Sequence, residues 1–200
     1  MVINNSNKTY NLISSSKGIV ICGSATTGAN TKNYNDAYEI SKKLAQKGFS
    51  IITGGGSGVM EAANKGCLEL SGNSIGIGLK IHGQENNKFC SQNSLINCED
   101  FHERKKLMMK LATGFVFFPG GLGTLDELME VLVHFRTRKL KKVPLILFNS
   151  IFWEPFLIWL REDFLRLNYI NSEDLDFLEV LDCSNKVVNI LEQYEEEYEI

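Results

Sequence analysis

Gly114-Phe115-Val116-Phe117-Phe118-Pro119-Gly120-Gly121-Leu122-Gly123-Thr124-Leu125-Asp126-Glu127 is the stretch that decides the fold. Its first part is apolar at every position, as a strand covered on both faces must be. Its middle is a glycine turn, and its end is the polar-apolar start of a helix. The same strand, turn and helix unit recurs upstream. Gly18 to Cys22 runs into Gly23-Ser24-Ala25, and Ser50 to Thr53 runs into Gly54-Gly55-Gly56-Ser57-Gly58. Further strands are predicted at Ile75–Leu79, Leu95–Cys98, Gly114–Phe118, Pro144–Phe148 and Phe177–Leu181. Helices are predicted at Lys32–Gly48, Gly58–Leu70, about Phe101–Ala112, Thr124–Arg138 and Trp153–Leu167, with a last one ending near Glu195. This alternation predicts an α/β fold, a doubly wound and mostly parallel sheet with helices on both faces. In such a sheet the three glycine-rich or small junctions gather at the carboxyl ends of the strands, where ligands bind.

The chain has 200 residues, 44% hydrophobic and 22% charged, which suits one globular domain. We place that domain at residues 17–195, after a flexible polar tail at 1–16 and before an acidic tail at 196–200. The formal net charge of -3 speaks against a general nucleic-acid binder. No apolar stretch is long enough to span a bilayer, and the Asn- and Ser-rich start lacks the order of a secretory signal. The five cysteines are odd in number and form no C-x-x-C pair, so a reducing, cytoplasmic setting is expected rather than a disulfide framework. Cys22 and Cys98 fall in strand-like runs and read as inert buried thiols with no catalytic partner in the sequence.

The turn Gly54 to Gly58, opening a helix that continues Val59-Met60-Glu61, suits an anion approached by backbone N–H groups. It is neither a P-loop nor the G-x-G-x-x-G fingerprint, and a tight strand-to-helix turn reads equally well. In the second turn, Thr124-Leu125-Asp126-Glu127 has the T-x-x-E form of a capping box, so Glu127 could cap its own helix. Against that, the glycines exceed what a cap needs. Asp126, Glu127 and Glu130 also crowd acid onto one helix start, which would repel phosphate unless a cation lies between. The candidate cations are in Asp100-Phe101-His102-Glu103-Arg104-Lys105-Lys106. Arg104, Leu107, Met108 and Leu111 share one helix face, so Arg104 sits at the end of the core-facing stripe and needs a partner. A structural salt bridge and a bidentate grip on phosphate both satisfy that need. Lys105 and Lys106 turn toward solvent.

Pro119 to Glu127 matches P-G-G-x-G-T-x-x-E. With Glu103-Arg104-Lys105 upstream and Gly54 to Gly66 as a second glycine turn, the chain resembles the "Lonely Guy" (LOG) family of cytokinin riboside 5'-monophosphate phosphoribohydrolases from about Gly18 to Leu191. The resemblance implies a Rossmann-like fold, a homodimer or higher homo-oligomer, and hydrolysis of the N-glycosidic bond of adenine nucleoside 5'-monophosphates. It makes Arg104 and Glu127 the catalytic pair. Gly120, Gly121, Gly123 and Thr124 would hold phosphate, Gly55 and Gly56 would line the cleft, and Ser24, Met60 and Lys105 complete the nucleotide-binding set. The segment Lys80-Ile81-His82-Gly83-Gln84-Glu85-Asn86-Asn87 departs from plant-type members, which tend to have a proline there. The G-I-G-L and M-E-A-A-N runs look more like the broader bacterial branch, so AMP or another monophosphate is as much expected as prenylated AMP. The label "lysine decarboxylase" sometimes given to members finds no Schiff-base lysine here. A non-catalytic nucleotide-binding or sensing module on the same fold remains the alternative.

No cofactor, metal, nucleic acid or membrane is expected as a partner beyond the nucleotide. Glu127, Glu130 and His134 share a helix face and could ligate a metal, though an intrahelical Glu-His pair is the ordinary reading. The basic run Arg136 to Lys142 complements a helix C-terminus. Trp153 and Trp159 are expected in the core or in a dimer contact.

Overall fold

The computed structural model describes residues 17–79, 86–90 and 95–198. The predicted tail at 1–16 and His82, with most of the segment that departs from the plant pattern, lie outside the described residues. Among the described residues the sheet has seven strands: β1 (Gly18–Cys22), β2 (Ser50–Thr53), β3 (Ser74–Leu79), β4 (Leu95–Cys98), β5 (Gly114–Phe117), β6 (Leu145–Phe148) and β7 (Leu178–Leu181). Every pairing is parallel, in the order β4-β3-β2-β1-β5-β6-β7. The chain therefore winds outward from β1 to β4, returns to place β5 on the other side of β1, and winds outward again. The fold is the α/β, Rossmann-like, doubly wound one that the both-faced apolar strands predict, and its switch point lies between β1 and β5.

Alternate side chains of each strand feed two cores. Ile19, Ile21, Ile51, Val116, Phe118 and Ile146 pack under α1 (Lys32–Gln46), α2 (Val59–Glu69) and α6 (Ser184–Tyr198). Val20, Cys22, Ile52, Phe115, Phe117 and Leu145 pack under α3 (Phe101–Leu111), α4 (Leu122–Arg136) and α5 (Ser150–Trp159). The helix that carries Arg104 and the helix that carries Glu127 thus cover the same face as Cys22.

Toward the C-terminus the boundaries differ from expectation for local reasons. Asn149, left-handed at φ 84°, accepts from the Phe152 N–H at 3.2 Å, so α5 begins at Ser150 rather than Trp153. Its continuation widens into a π turn at Leu160–Leu165, where Arg166 N–H donates to Arg161 five residues back. α6 runs to Tyr198, past the expected end near Glu195, and Glu195 pairs with Lys17. Trp153 is fully buried and donates to the Phe117 carbonyl at 3.2 Å, whereas Trp159 is half exposed. Among the described residues no helix is long and apolar enough to cross a membrane.

Candidate active site

The three junctions meet at the switch point. Ser24 N–H donates to the Pro119 carbonyl at 3.0 Å, joining the loops after β1 and β5. Val59 N–H donates to the Ser24 carbonyl at 3.0 Å, and Ser57 Oγ donates to Ala25 at 2.7 Å, joining the loop after β2. Gly58 has φ +66°, and a Cβ there would lie 2.3 Å from the Ser24 oxygen, so only glycine permits this approach.

The two glycine turns are used differently. Much of the first is spent internally. Gly55 N–H donates to Thr53 Oγ1 at 3.0 Å, and the Gly55 carbonyl accepts from Asn87 N–H at 2.8 Å. The Gly56 carbonyl accepts from Asn87 Nδ2 at 2.8 Å. Asn87 also bonds Asn64, which accepts from Thr53 and donates to Ser74, all inside the protein. Gly55 and Gly56 form a braced wall, with Met60 folded against Gly54 and Gly56. Neither Asn64, inside a helix, nor Asn87, in a loop, is marked by any motif, since an asparagine is silent until its partners are known.

The second turn is open. α4 begins at Leu122 with Gly121 as N-cap and no side-chain cap, so the helix starts two residues before Thr124. This corrects the capping-box reading. Thr124 lies in the first turn, buried against Gly120, and Glu127 is a turn further on, where it cannot reach the N-cap. The glycines are what allow the early start. Gly121, Leu122 and Gly123 are exposed, and the first backbone bond into the turn is Leu125 N–H to Gly121. Uncapped N–H groups at a positive helix end are the usual seat of a phosphate.

Glu127 and Arg104 meet between α3 and α4. Arg104 Nη2 donates to Glu127 Oε1 at 2.8 Å, and the side chains are only 14% and 16% exposed. The guanidinium lies over Gly54, where a Cβ would fall 2.1 Å from Nη2. Arg104 Nε is buried and has no acceptor among the described residues. Burial pushes the Glu127 carboxyl above the usual carboxylate range. Arg104, the Cys22 thiol and Lys105 pull it back, and Asp126 adds to the rise.

Lys105 is not turned to solvent as expected. It donates to both Asp126 oxygens, at 3.0 and 2.9 Å, and pairs with Glu130. Burial works against its charge, but those two acids outweigh burial and hold the ammonium above its ordinary range. The acids crowded at this helix start are thus each matched by a cation from α3. Lys106 is exposed. His134 Nδ1 bonds the Glu130 backbone oxygen at 2.9 Å, so the Glu127, Glu130 and His134 set is dispersed among other partners. No cluster suited to a metal occurs among the described residues.

Cys22 is buried, as its strand-like run implies, but it lies beside the site. It is 2% exposed, ends β1, and shares a small cavity with Glu127, Lys105, Met108 and Phe117. Its one legible signal is its place immediately before Gly23-Ser24, at the carboxyl end of the central strand.

A family model described as "Possible lysine decarboxylase" matches residues 60–191. The cytokinin riboside 5'-monophosphate phosphoribohydrolase LOG of Oryza sativa subsp. japonica is 29% identical over 182 residues, 90% of this chain and 74% of that protein. A probable cytokinin riboside 5'-monophosphate phosphoribohydrolase of Arabidopsis thaliana is 31% identical over 115 residues, 56% of this chain and 56% of its own. The chain thus spans about half to three quarters of the length of these relatives. Among solved structures, the molybdenum cofactor binding protein of Rippkaea orientalis has a TM-score of 0.66 at 20% identity, covering 89% of this chain and 96% of its own. At that identity the likeness speaks for the fold.

Proposed function

The chain belongs to the LOG family, the one whose model carries the lysine decarboxylase description, and from that premise we propose that it hydrolyses the N-glycosidic bond of adenine-type nucleoside 5'-monophosphates to free base and ribose 5-phosphate. The observation that carries this reading is the buried Arg104–Glu127 pair beside the uncapped start of α4. Phosphate seats on the N–H groups of Leu122, Gly123 and Thr124, which puts the sugar toward Glu127. Breaking the bond from C1' to the base builds positive charge on C1' and O4'. The Glu127 carboxylate stabilises that charge and takes a proton from the attacking water. The base leaves with the electron pair of the broken bond and is protonated from solvent. Arg104 balances charge and holds Glu127 in place. Neither a metal nor a cofactor enters this route.

Lysine decarboxylation is a poor fit to the same residues. A Schiff-base lysine needs a neutral amine, whereas two carboxylates keep the Lys105 ammonium charged. A second reading, a non-catalytic nucleotide-binding module, draws on the fold shared with a cofactor-binding protein. Such a module gains little from a carboxylate beside phosphate. Incubation with AMP, N6-isopentenyl-AMP, IMP, GMP, CMP and UMP, followed by chromatography for free base, separates the two. Release from the adenine nucleotides supports the enzyme, and release from none supports the module.

Assembly as a homodimer is part of the same proposal. Met129 and Val133 on the outer face of α4, with Ile151, Phe152, Ile158 and Trp159 on α5, leave large apolar side chains exposed on neighbouring helices. Sedimentation equilibrium checks this: a single monomeric species at micromolar concentration counts against it.

A further inference from the structure

Cys22 takes no part in the chemistry outlined above, yet it is the polar sheet residue in the cavity that Glu127 lines. β1 pairs with β5 in a register that sets Cys22 beside Phe117, and the strand's alternation aims Cys22 at the face covered by α3 and α4. Cys22 and Glu127 line the same small cavity, whose other walls are apolar apart from Lys105 and Glu130, which pair with each other. A carboxylate placed there is short of donors. Arg104 Nη2 donates to it from α3, and Cys22 faces the same cavity from the sheet.

We propose that Cys22 is a positioning residue for the reaction: its protonated thiol donates to Glu127 from the sheet while Arg104 grips the same carboxylate from α3. This deepens the glycosidase reading and rests on it for its catalytic meaning. Two electrostatic effects agree on where the proton sits. Burial, and then the charge of Glu127 and the hydrogen bond to it, push the Cys22 thiol well above its ordinary range, with Arg104 opposing. The same contact draws the Glu127 carboxyl down. Sulfur therefore keeps its proton and acts as a donor, not as a nucleophile. A thiol suits the place because it offers a weak donor at little desolvation cost in an apolar cavity. Glu127 is otherwise faced by Arg104 and Lys105 on α3 and by Asp126 on its own helix, and Glu130 nearby is matched by Lys105. The removal of Cys22 thus takes away a donor that none of these replaces.

The test titrates the Glu127 carboxyl directly in the free protein by 13C NMR, its signal assigned by its loss in Glu127→Gln, in wild type, Cys22→Ala and Cys22→Ser. Cys22→Ala is expected to move the midpoint to higher pH. Cys22→Ser, which keeps a donor in nearly the same volume, is expected to return it to or below the wild-type position. The pH profile of base release should follow, with kcat/KM of Cys22→Ala falling several-fold on the acid side, KM little changed, and Cys22→Ser rescuing. A wild-type midpoint in Cys22→Ala overturns the proposal. So does an equal displacement in both variants accompanied by equal loss of Tm, which is the mark of packing alone. If the midpoint moves as expected but wild type releases no base, the thiol contact stands and the glycosidase reading is what fails.

Discussion

Arg104 and Glu127, 23 residues apart in sequence, meet at 2.8 Å across the gap between α3 and α4. Because Glu127 caps nothing, its charge can be removed without disturbing a helix start. Glu127→Gln should keep a hydrogen bond from Arg104 and lower kcat for AMP by roughly two orders of magnitude or more. Tm should be unchanged or raised at neutral pH. Steady-state rates beside thermal melts check this, and a wild-type kcat would remove Glu127 from the mechanism.

The raised Glu127 carboxyl gives that comparison a pH dependence. The reaction needs the charged form, so kcat/KM should fall on acidification with a midpoint above the usual carboxylate range. Stability runs the other way. A group whose folded pKa lies above its unfolded value stabilises the fold below both values, and that contribution is lost as pH rises through the folded pKa. Any Tm advantage of Glu127→Gln at neutral pH should therefore shrink as pH is lowered. An advantage that grows toward acid would contradict the assignment.

Four glycines separate space from ligand approach. An Ala Cβ at Gly54 would meet Arg104 Nη2 at 2.1 Å, the end of a flexible side chain. Gly54→Ala should cost little stability while displacing the guanidinium and lowering kcat/KM by roughly tenfold or more. Gly120→Ala would meet Thr124 Oγ1 at 2.1 Å and its Cβ at 2.6 Å, and should cost about 1–3 kcal/mol. Gly121 and Gly123 have nothing within 4 Å. Gly123→Ala should melt no lower than wild type and Gly121→Ala, at the N-cap, should lose at most about 1 kcal/mol, so a rise in KM for AMP in either reports phosphate packed on that turn. Unchanged KM in both would place the phosphate elsewhere.

Phosphate held on α4 is remote from the bond that breaks, so its binding energy is available to orient the sugar. The nucleoside should turn over far more slowly than its 5'-monophosphate. Equal kcat/KM for adenosine and AMP would count against an anchoring role for the turn.

Base release should survive EDTA, since Glu127, Glu130 and His134 are each engaged with protein partners. Inactivation by EDTA, reversed by one divalent metal, would overturn the mechanism.

Residues read correctly from sequence are those whose role is local. Strands such as Phe115-Val116-Phe117 declare burial on both faces by composition, and Gly54 to Gly58 declares a turn by its glycines. Arg104 was legible because helical spacing put a charge at the end of an apolar stripe. Lys105 was misread because its partners, Asp126 and Glu130, lie on another helix. The T-x-x-E run misled because its motif is satisfied on paper while Gly121, three residues before Thr124, is the actual N-cap. Asn87 carries no pattern, and that of Cys22 speaks only of burial, as the partners of each come together only when distant segments meet.

The adjacency of β1 and β5 also has a temporal consequence. Ile19 pairs with Gly114, and Thr113 bonds Gly18 across 95 residues. During synthesis β1 can join β2 early, but its other edge stays open until more than half the chain has emerged. An open, apolar strand edge is an invitation to mispairing with neighbouring chains. The strand that ends in Cys22 is thus both the centre of the mature sheet and its longest-waiting edge, so refolding yield should fall with protein concentration more steeply than native stability suggests.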